Sequence, residues 1–287
     1  MNRFANFLLA TLLFLTTSGF PESSLQAQSA QPAGAAQPGE EDAPDPSKLI
    51  DGFEVRLEAT ATGKELERQE NLWVMEVTFK SMRMRRISIT DPKTKIKKPE
   101  VIWYLVYKAV VRPIARRADT DNTVPQNTED AVPSSLFVPE FILRTTDSDS
   151  QKIYHDVIIP EAQADILKNR EKRYTRQPYL KNTVEAVGPI PDPTPLNSKT
   201  ENAIYGIVMW RGVDPETDYF EVYMTGFSNG YRKENGLVLR KTIVQKYKRP
   251  GDRFFQTEAE IKRDGEPKWI YWPDDKNPGN GTPAGKN

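Results

Sequence analysis

The sequence predicts an all-β fold, two sheets packed as a sandwich with one short helix, and three observations point to it. Trp73, Met75, Val77 and Phe79 alternate with Val74, Glu76, Thr78 and Lys80, the period of two that marks a strand with one buried face. Residues 101–111 (VIWYLVYKAVV) are apolar at nearly every position and rich in β-branched and aromatic side chains, which marks a central strand buried on both sides. Helical periodicity is confined to one stretch, and no unit of about 20 to 50 residues recurs, so neither a solenoid nor a propeller is expected.

Taken in order, the elements begin with an export signal. Arg3 supplies a positive start and residues 7–15 (FLLATLLFL) an apolar run, too short for a membrane span, which needs about 20 residues. Cleavage is expected after Ala27, with Leu25 and Ala27 at the −3 and −1 sites; Ala30 is the alternative. Residues 28–46 (QSAQPAGAAQPGEEDAPDP) hold too few large apolar groups to offset the entropy of ordering and read as a disordered linker. Residues 273–287 read as a disordered tail. Its Gly285-Lys286 pair misses the phosphate-loop pattern, because Asn280 and Asn287 stand where Gly and Ser/Thr belong. Residues 47–272 remain as the β domain, with a subdivision near 188–198, where a Pro-rich connector lies, as the alternative.

After the strand at 73–79 the apolar parity slips twice, to Met82 and Met84 and then to Ile87 and Ile89. Bulges are therefore expected at Lys80-Ser81 and Arg85-Arg86. Residues 137–144 (FVPEFILR) form a strand, Asp147 to Ser150 a hairpin tip, and residues 152–159 the return. The helix covers residues 160–173: Pro160 opens it, acids come early and bases late, and Ile159, Ala162, Ile166 and Leu167 share a face. Further strands are read at 203–210, 219–225, 237–247 and 269–272. Turns fall at 212–218, Asn235-Gly236, Pro250-Gly251 and Asp264-Gly265.

The succession of Trp73 to Phe79, Tyr104-Leu105-Val106-Tyr107, Phe141-Ile142-Leu143 with Ile153-Tyr154, and Gly206 to Trp210 with Asp218 to Tyr223 resembles the small exported immunoglobulin-like sandwich domains of bacteria. The resemblance covers about 150 residues and rests on pattern, with no catalytic motif. It implies an immunoglobulin-like two-sheet sandwich working outside the cytoplasm; many such domains have no known activity. The helix at Pro160 and the long extension after Gly226 depart from it.

Composition removes whole chemistries. The chain has 287 residues, one His and no Cys, so disulfides, thiolate metal sites and a cysteine nucleophile are out, as is a multi-histidine metal centre. Forty Lys+Arg balance forty Asp+Glu, without the basic surplus of a nucleic-acid binder. Gly226-Phe227-Ser228-Asn229-Gly230 spells the hydrolase nucleophile elbow, but an Asn-Gly turn follows where a helix is needed and His155 lies upstream, so a hairpin loop is expected. His155 and its neighbour Asp156 should point to opposite faces of a strand, which denies His155 an orienting carboxylate. Asp119 to Thr123 begins like a calcium loop, yet Val124 replaces the Gly at position six, and position twelve, Asp130, is not the bidentate Glu. Asp147 with Asp149, and Asp214 with Glu216 and Asp218, read as turn acids. Neither a cofactor nor a metal is expected.

Two surfaces are candidates for binding. Trp269 and Tyr271 share one face of a strand and could stack on a sugar, although alternating aromatics usually serve the core. The charges are also segregated: residues 80–117 carry twelve bases and two acids, residues 118–165 two bases and ten acids, residues 40–79 four bases and eleven acids. Adjacent strands of opposite sign could pair; the sharper reading is an anion-contact patch of Arg83, Arg85, Arg86, Lys93, Lys95, Lys97 and Lys98. The expectation is thus an exported, non-catalytic binding or structural protein of the bacterial periplasm or cell surface. Its partner would be an anionic envelope polymer or another exported protein, with no nucleic acid and no membrane span in the mature chain. The alternative is a carbohydrate-active or other carboxylate-dependent hydrolytic domain, whose two acids need no fixed spacing in sequence.

Overall fold

The computed structural model describes residues 52–69, 71–117, 136–147, 151–176, 178–249 and 261–273. The expected signal segment, the linker, the acidic run 119–123, the Pro250-Gly251 turn and all of the tail but Pro273 lie outside the described residues. The fold is mostly β, with antiparallel sheets and few helices. Its first part contains β1 (Phe53–Leu57), β2 (Thr60–Thr62), α1 (Gly63–Arg68), β3 (Met75–Lys80), β4 (Arg83–Thr90), β5 (Lys97–Val111) and β6 (Ala115–Arg117). Then come β7 (Leu136–Phe137), β8 (Glu140–Thr145), β9 (Ile153–His155), α2 (Pro160–Asn169) and a 3-10 turn at Lys172–Thr175. The rest holds β10 (Gly188–Pro189), β11 (Ala203–Arg211), β12 (Tyr219–Thr225), β13 (Tyr231–Glu234), β14 (Leu237–Lys248), β15 (Lys262–Arg263) and β16 (Lys268–Pro273).

One sheet runs β1-β3-β5-β11, with β4 also paired to β5; the other runs β13-β14-β12-β8-β9, with β15 and β16 on the far side of β14. β11 joins the first sheet and β12 the second, so the chain crosses from one sheet to the other through the turn at 212–218. Strands before and after the Pro-rich connector pair with each other in both sheets.

The two sheets share one apolar core. Met75, Val77, Phe79, Trp103, Leu105 and Tyr107 enter it from the first, and Phe141, Leu143, Phe220, Val222, Met224 and Ile243 from the second. Trp103 and Phe220 meet across it edge to face, with centroids 5.2 Å apart, the arrangement that aligns the positive ring edge with the negative face. The far face of the first sheet carries Ile87, Ile89, Ile102, Tyr104, Val106, Ile207 and Met209 beneath Ile159, Ala162, Ile166 and Leu167 of α2. β5 is therefore buried on both sides over its middle, as its unbroken apolar run predicts.

The first expected bulge is present. Phe79 faces Tyr107 and Arg83 faces Tyr104, so four steps along β3–β4 match three along β5, which places one extra residue near Lys80 to Met82. The second is absent: β4 keeps one register from Arg83 to Thr90. Its parity change has another cause. Met82 and Met84 enter the core between the sheets, while Ile87 and Ile89 enter the core under α2, so an uninterrupted strand is buried on opposite faces at its two ends. At the β13–β14 turn, Asn235 and Gly236 both have positive φ, 50° and 81°, the backbone of a type I′ hairpin.

Candidate functional site

The basic residues of the expected anion patch lie on the β4–β5 hairpin. Its tip is shaped by the Asp91 carboxylate, which accepts from the backbone N–H of Lys93 at 2.8 Å and Thr94 at 3.0 Å. Those amide bonds, Thr94 first, hold the Asp91 carboxyl below its ordinary range. Lys93, Lys95, Lys97 and Lys98 are all exposed. Register divides the remainder: Arg83, Arg85 and Lys98 share the face toward α2, and Arg86 and Lys97 the other, since directly opposed residues point the same way. α2 supplies counter-charge, because Arg85 pairs with Asp165, and Glu161 accepts from the Thr90 N–H at 2.7 Å. The bases are thus brought to one hairpin but not to one flat face.

Trp269 and Tyr271 do share a face, and it is the inward one: they stand opposite Ile243 and Lys241. The Trp269 indole N–H donates to Glu58 O at 2.9 Å, and the Lys241 ammonium sits 5.7 Å from its ring centroid. The Arg232 guanidinium covers the Tyr271 ring at 4.5 Å, and the Tyr271 hydroxyl donates to Glu65. Glu65 is set by α1, where Thr62 and Glu65 form a reciprocal capping box. The oxygen that Tyr271 reaches, Oε1, also accepts the Lys241 ammonium at 2.7 Å, while Oε2 accepts the Thr62 N–H at 2.7 Å. Burial pushes Glu65 up, but the Lys241 charge and the bonds from Lys241, Tyr271 and Thr62 outweigh it and hold the carboxyl below its ordinary value. Both candidate stacking rings are therefore already engaged by protein cations.

Other carboxylates are clamped in the same way. Arg112 Nη2 donates to Glu76 at 2.9 Å and to Glu201, while Nη1 reaches Thr194 O at 3.1 Å, which ties the segment before β11 to the end of β5. Glu221 accepts from Arg144 and from the Tyr223 hydroxyl, each at 2.6 Å. Asp214 pairs with Lys152 at 2.5 Å and accepts the Glu216 N–H at 3.0 Å, a turn acid as expected. No group of three or more His, Asp or Glu among the described residues could hold a metal. Ser228 is a loop residue: its hydroxyl donates to Trp73 O at 2.9 Å and accepts the Gly230 N–H at 3.0 Å, and β13 follows it in place of a helix. His155 is exposed on β9, while Asp156 accepts from the Thr183 hydroxyl at 2.6 Å.

A concave site lies at the seam between the sheets. The bulge after β3 (Ser81, Met82), Glu54 of β1, Tyr247 of β14 and Ile261, Lys262 and Arg263 around β15 enclose a pocket of ≈ 260 Å³. Met82, Tyr247 and Ile261 are buried. The Ser81 hydroxyl donates to Glu54. No family model, no curated protein and no solved structure matches the chain. What the site can do must be read from its own chemistry.

Sequence reasoning passed over Lys241 and the pocket. Lys241 had left a mark: Leu239, Lys241, Ile243, Gln245 and Tyr247 form one parity of β14, and two polar members in an inward set point to a buried polar contact. The T-x-x-E spelling of Thr62 to Glu65 likewise announces α1. The pocket left no such mark, since its walls come from four separate stretches of chain.

Proposed function

We propose that this chain is an exported, non-catalytic binding protein of the bacterial periplasm or cell surface, an immunoglobulin-like sandwich that holds an anionic partner on the β4–β5 hairpin. The observation that carries the reading is the exposure of Lys93, Lys95, Lys97 and Lys98 at one hairpin end, where their positive potential is not buried beneath other elements. Two sheets around one core support the sandwich, and the apolar run at residues 7–15 with Ala27 beyond it supports export. The hydrolytic alternative has less behind it. Glu65, Glu201 and Glu221 are held below their ordinary values against Lys or Arg neighbours, whereas a glycosidase needs one acid raised enough to carry a proton.

Two measurements test the proposal. N-terminal sequencing of the exported protein should begin at Gln28; an intact Met1 on exported protein would overturn the localisation. Titration with long-chain polyphosphate as an anionic probe should show binding that weakens with salt. A variant with all four hairpin lysines changed to Gln should bind at least about tenfold more weakly. Equal binding by the variant would sink the assignment of the hairpin.

A further inference from the structure

We propose that the tip of the β4–β5 hairpin docks on a bilayer surface rich in anionic phospholipid, with its lysines among the headgroups and Ile96 inserted between them. The inference rests on the assignment of the hairpin as an anion-contacting element and names the partner.

The topology makes the hairpin an arm. β11 leaves β5 at Ile102, opposite Arg211, and β3 holds β5 from Tyr107 to Val111. Lys97 to Val101 pair with Thr90 to Arg86 of β4 and, among the described residues, with no third strand. The end of the hairpin thus extends past the rest of its sheet. α2 covers the arm at Ile87 and Ile89 and leaves every residue from Pro92 to Pro99 exposed.

The tip is also fixed in shape. The Asp91 N–H donates to Ile96 O at 3.0 Å and the Lys95 N–H to Asp91 O at 2.9 Å. Lys95 takes the left-handed backbone, φ 59°, and the Thr94 hydroxyl oxygen accepts the Ile96 N–H at 3.4 Å. A loop closed by its own hydrogen bonds loses little conformational freedom on contact.

Composition specifies the partner. Residues 92–99 (PKTKIKKP) hold four Lys and no acid. The acids around them are engaged: Asp91 by the amides of the tip, Glu161 by the Thr90 N–H and hydroxyl, Asp165 by Arg85, and Glu100 by Arg211 at 2.8 Å. Amid these cations Ile96 is 58% exposed and belongs to neither of the large apolar clusters. A soluble polyanion offers charge alone and gives Ile96 no apolar partner. An anionic bilayer offers headgroups to the ammonium groups and, just beneath them, an acyl boundary to the Ile side chain. Lysine suits such a depth, because its flexible stem keeps the ammonium at headgroup level while the tip goes deeper.

Co-sedimentation of the exported protein tests the proposal, with vesicles of phosphatidylcholine containing about one-third phosphatidylglycerol set against pure phosphatidylcholine vesicles and long-chain polyphosphate. The exported form is used so that the apolar run at residues 7–15 does not itself enter the bilayer. Binding to the anionic vesicles should be at least about tenfold tighter than to the neutral ones and should weaken with salt. Ile96→Asn should weaken vesicle binding about fivefold or more, while polyphosphate binding and the urea midpoint stay unchanged. The variant with all four hairpin lysines changed to Gln should lose both ligands. Lysine-dependent polyphosphate binding without a preference for anionic vesicles, or with vesicle binding untouched by Ile96→Asn, would overturn the lipid assignment and leave the anion contact of the hairpin standing. Full retention of both ligands by the four-Gln variant would overturn both readings.

Discussion

The Lys241 ammonium lies 2.7 Å from the Glu65 carboxylate, with the Lys241 side chain 4% exposed and that of Glu65 10% exposed. Lys241 points inward from the middle of β14, and α1 brings Glu65 over it. Thr60 O accepts a second ammonium proton at 2.8 Å. Desolvating both charges is costly, so the pair holds α1 in place chiefly because either charge alone would be worse. Lys241→Met should cost about 3–5 kcal/mol in urea unfolding. Glu65→Gln preserves the capping box, and the double variant should lose less than the sum, with a coupling of about 1–3 kcal/mol. Strict additivity would show that the pair is not coupled.

The same carboxylate sets an acid limit on stability. Glu65, Glu201 and Glu221 all have folded-state values below the ordinary 4.5. The unfolded chain therefore takes up protons first on acidification. Stabilisation from these groups is complete above the ordinary value and is lost as pH falls through the depressed folded values. The urea midpoint should be steady down to about pH 5 and then decline, with a shallower decline in Glu65→Gln. A midpoint that rises on acidification below 4.5 would contradict the ion-pair account.

Gly226 and Gly236 separate backbone strain from steric exclusion. Both have positive φ, 85° and 81°. A Cβ on Gly226 would stand 2.1 Å from Val138 O, while one on Gly236 would meet nothing within 4 Å. Gly236→Ala should cost about 1 kcal/mol for the left-handed backbone alone. Gly226→Ala adds a backbone clash and should cost at least about 3 kcal/mol. Equal costs in chemical denaturation would show that the 226–230 loop moves freely away from Val138.

These particulars also show where sequence reading succeeds. The strand at β12 and the Asn235-Gly236 turn were legible because alternation and left-handed turn chemistry are written in consecutive residues. Val101 to Val111 was legible as a doubly buried strand for the same reason. β4 was misread at Arg85-Arg86 because parity records which face is covered but not what covers it; α2, some seventy residues on in the sequence, decides that Ile87 and Ile89 face away from Met82 and Met84. Of the candidate site residues, the lysines of the hairpin could be read as a local cluster. Tyr247 and Arg263 could not, since only strand pairing makes them neighbours.

Trp269 and Tyr271 provide the sharpest contrast between packing and ligand stacking. Trp269 packs against the main core and against the smaller cluster of Ala59, Ala61, Leu72 and Val74, and its indole N–H holds Glu58 O. Being half-buried, it should lose somewhat less on truncation than a fully buried Trp, so Trp269→Ala should cost about 3 kcal/mol. Tyr271→Phe retains the ring beneath Arg232 but removes the donor to Glu65, and should cost about 2 kcal/mol. A sugar platform would behave differently, because a ring kept for stacking contributes to affinity and little to stability. If Trp269→Ala kept its urea midpoint while losing binding to an oligosaccharide, the packing account of this face would fall; a lowered midpoint with no saccharide binding in either protein is the expected result.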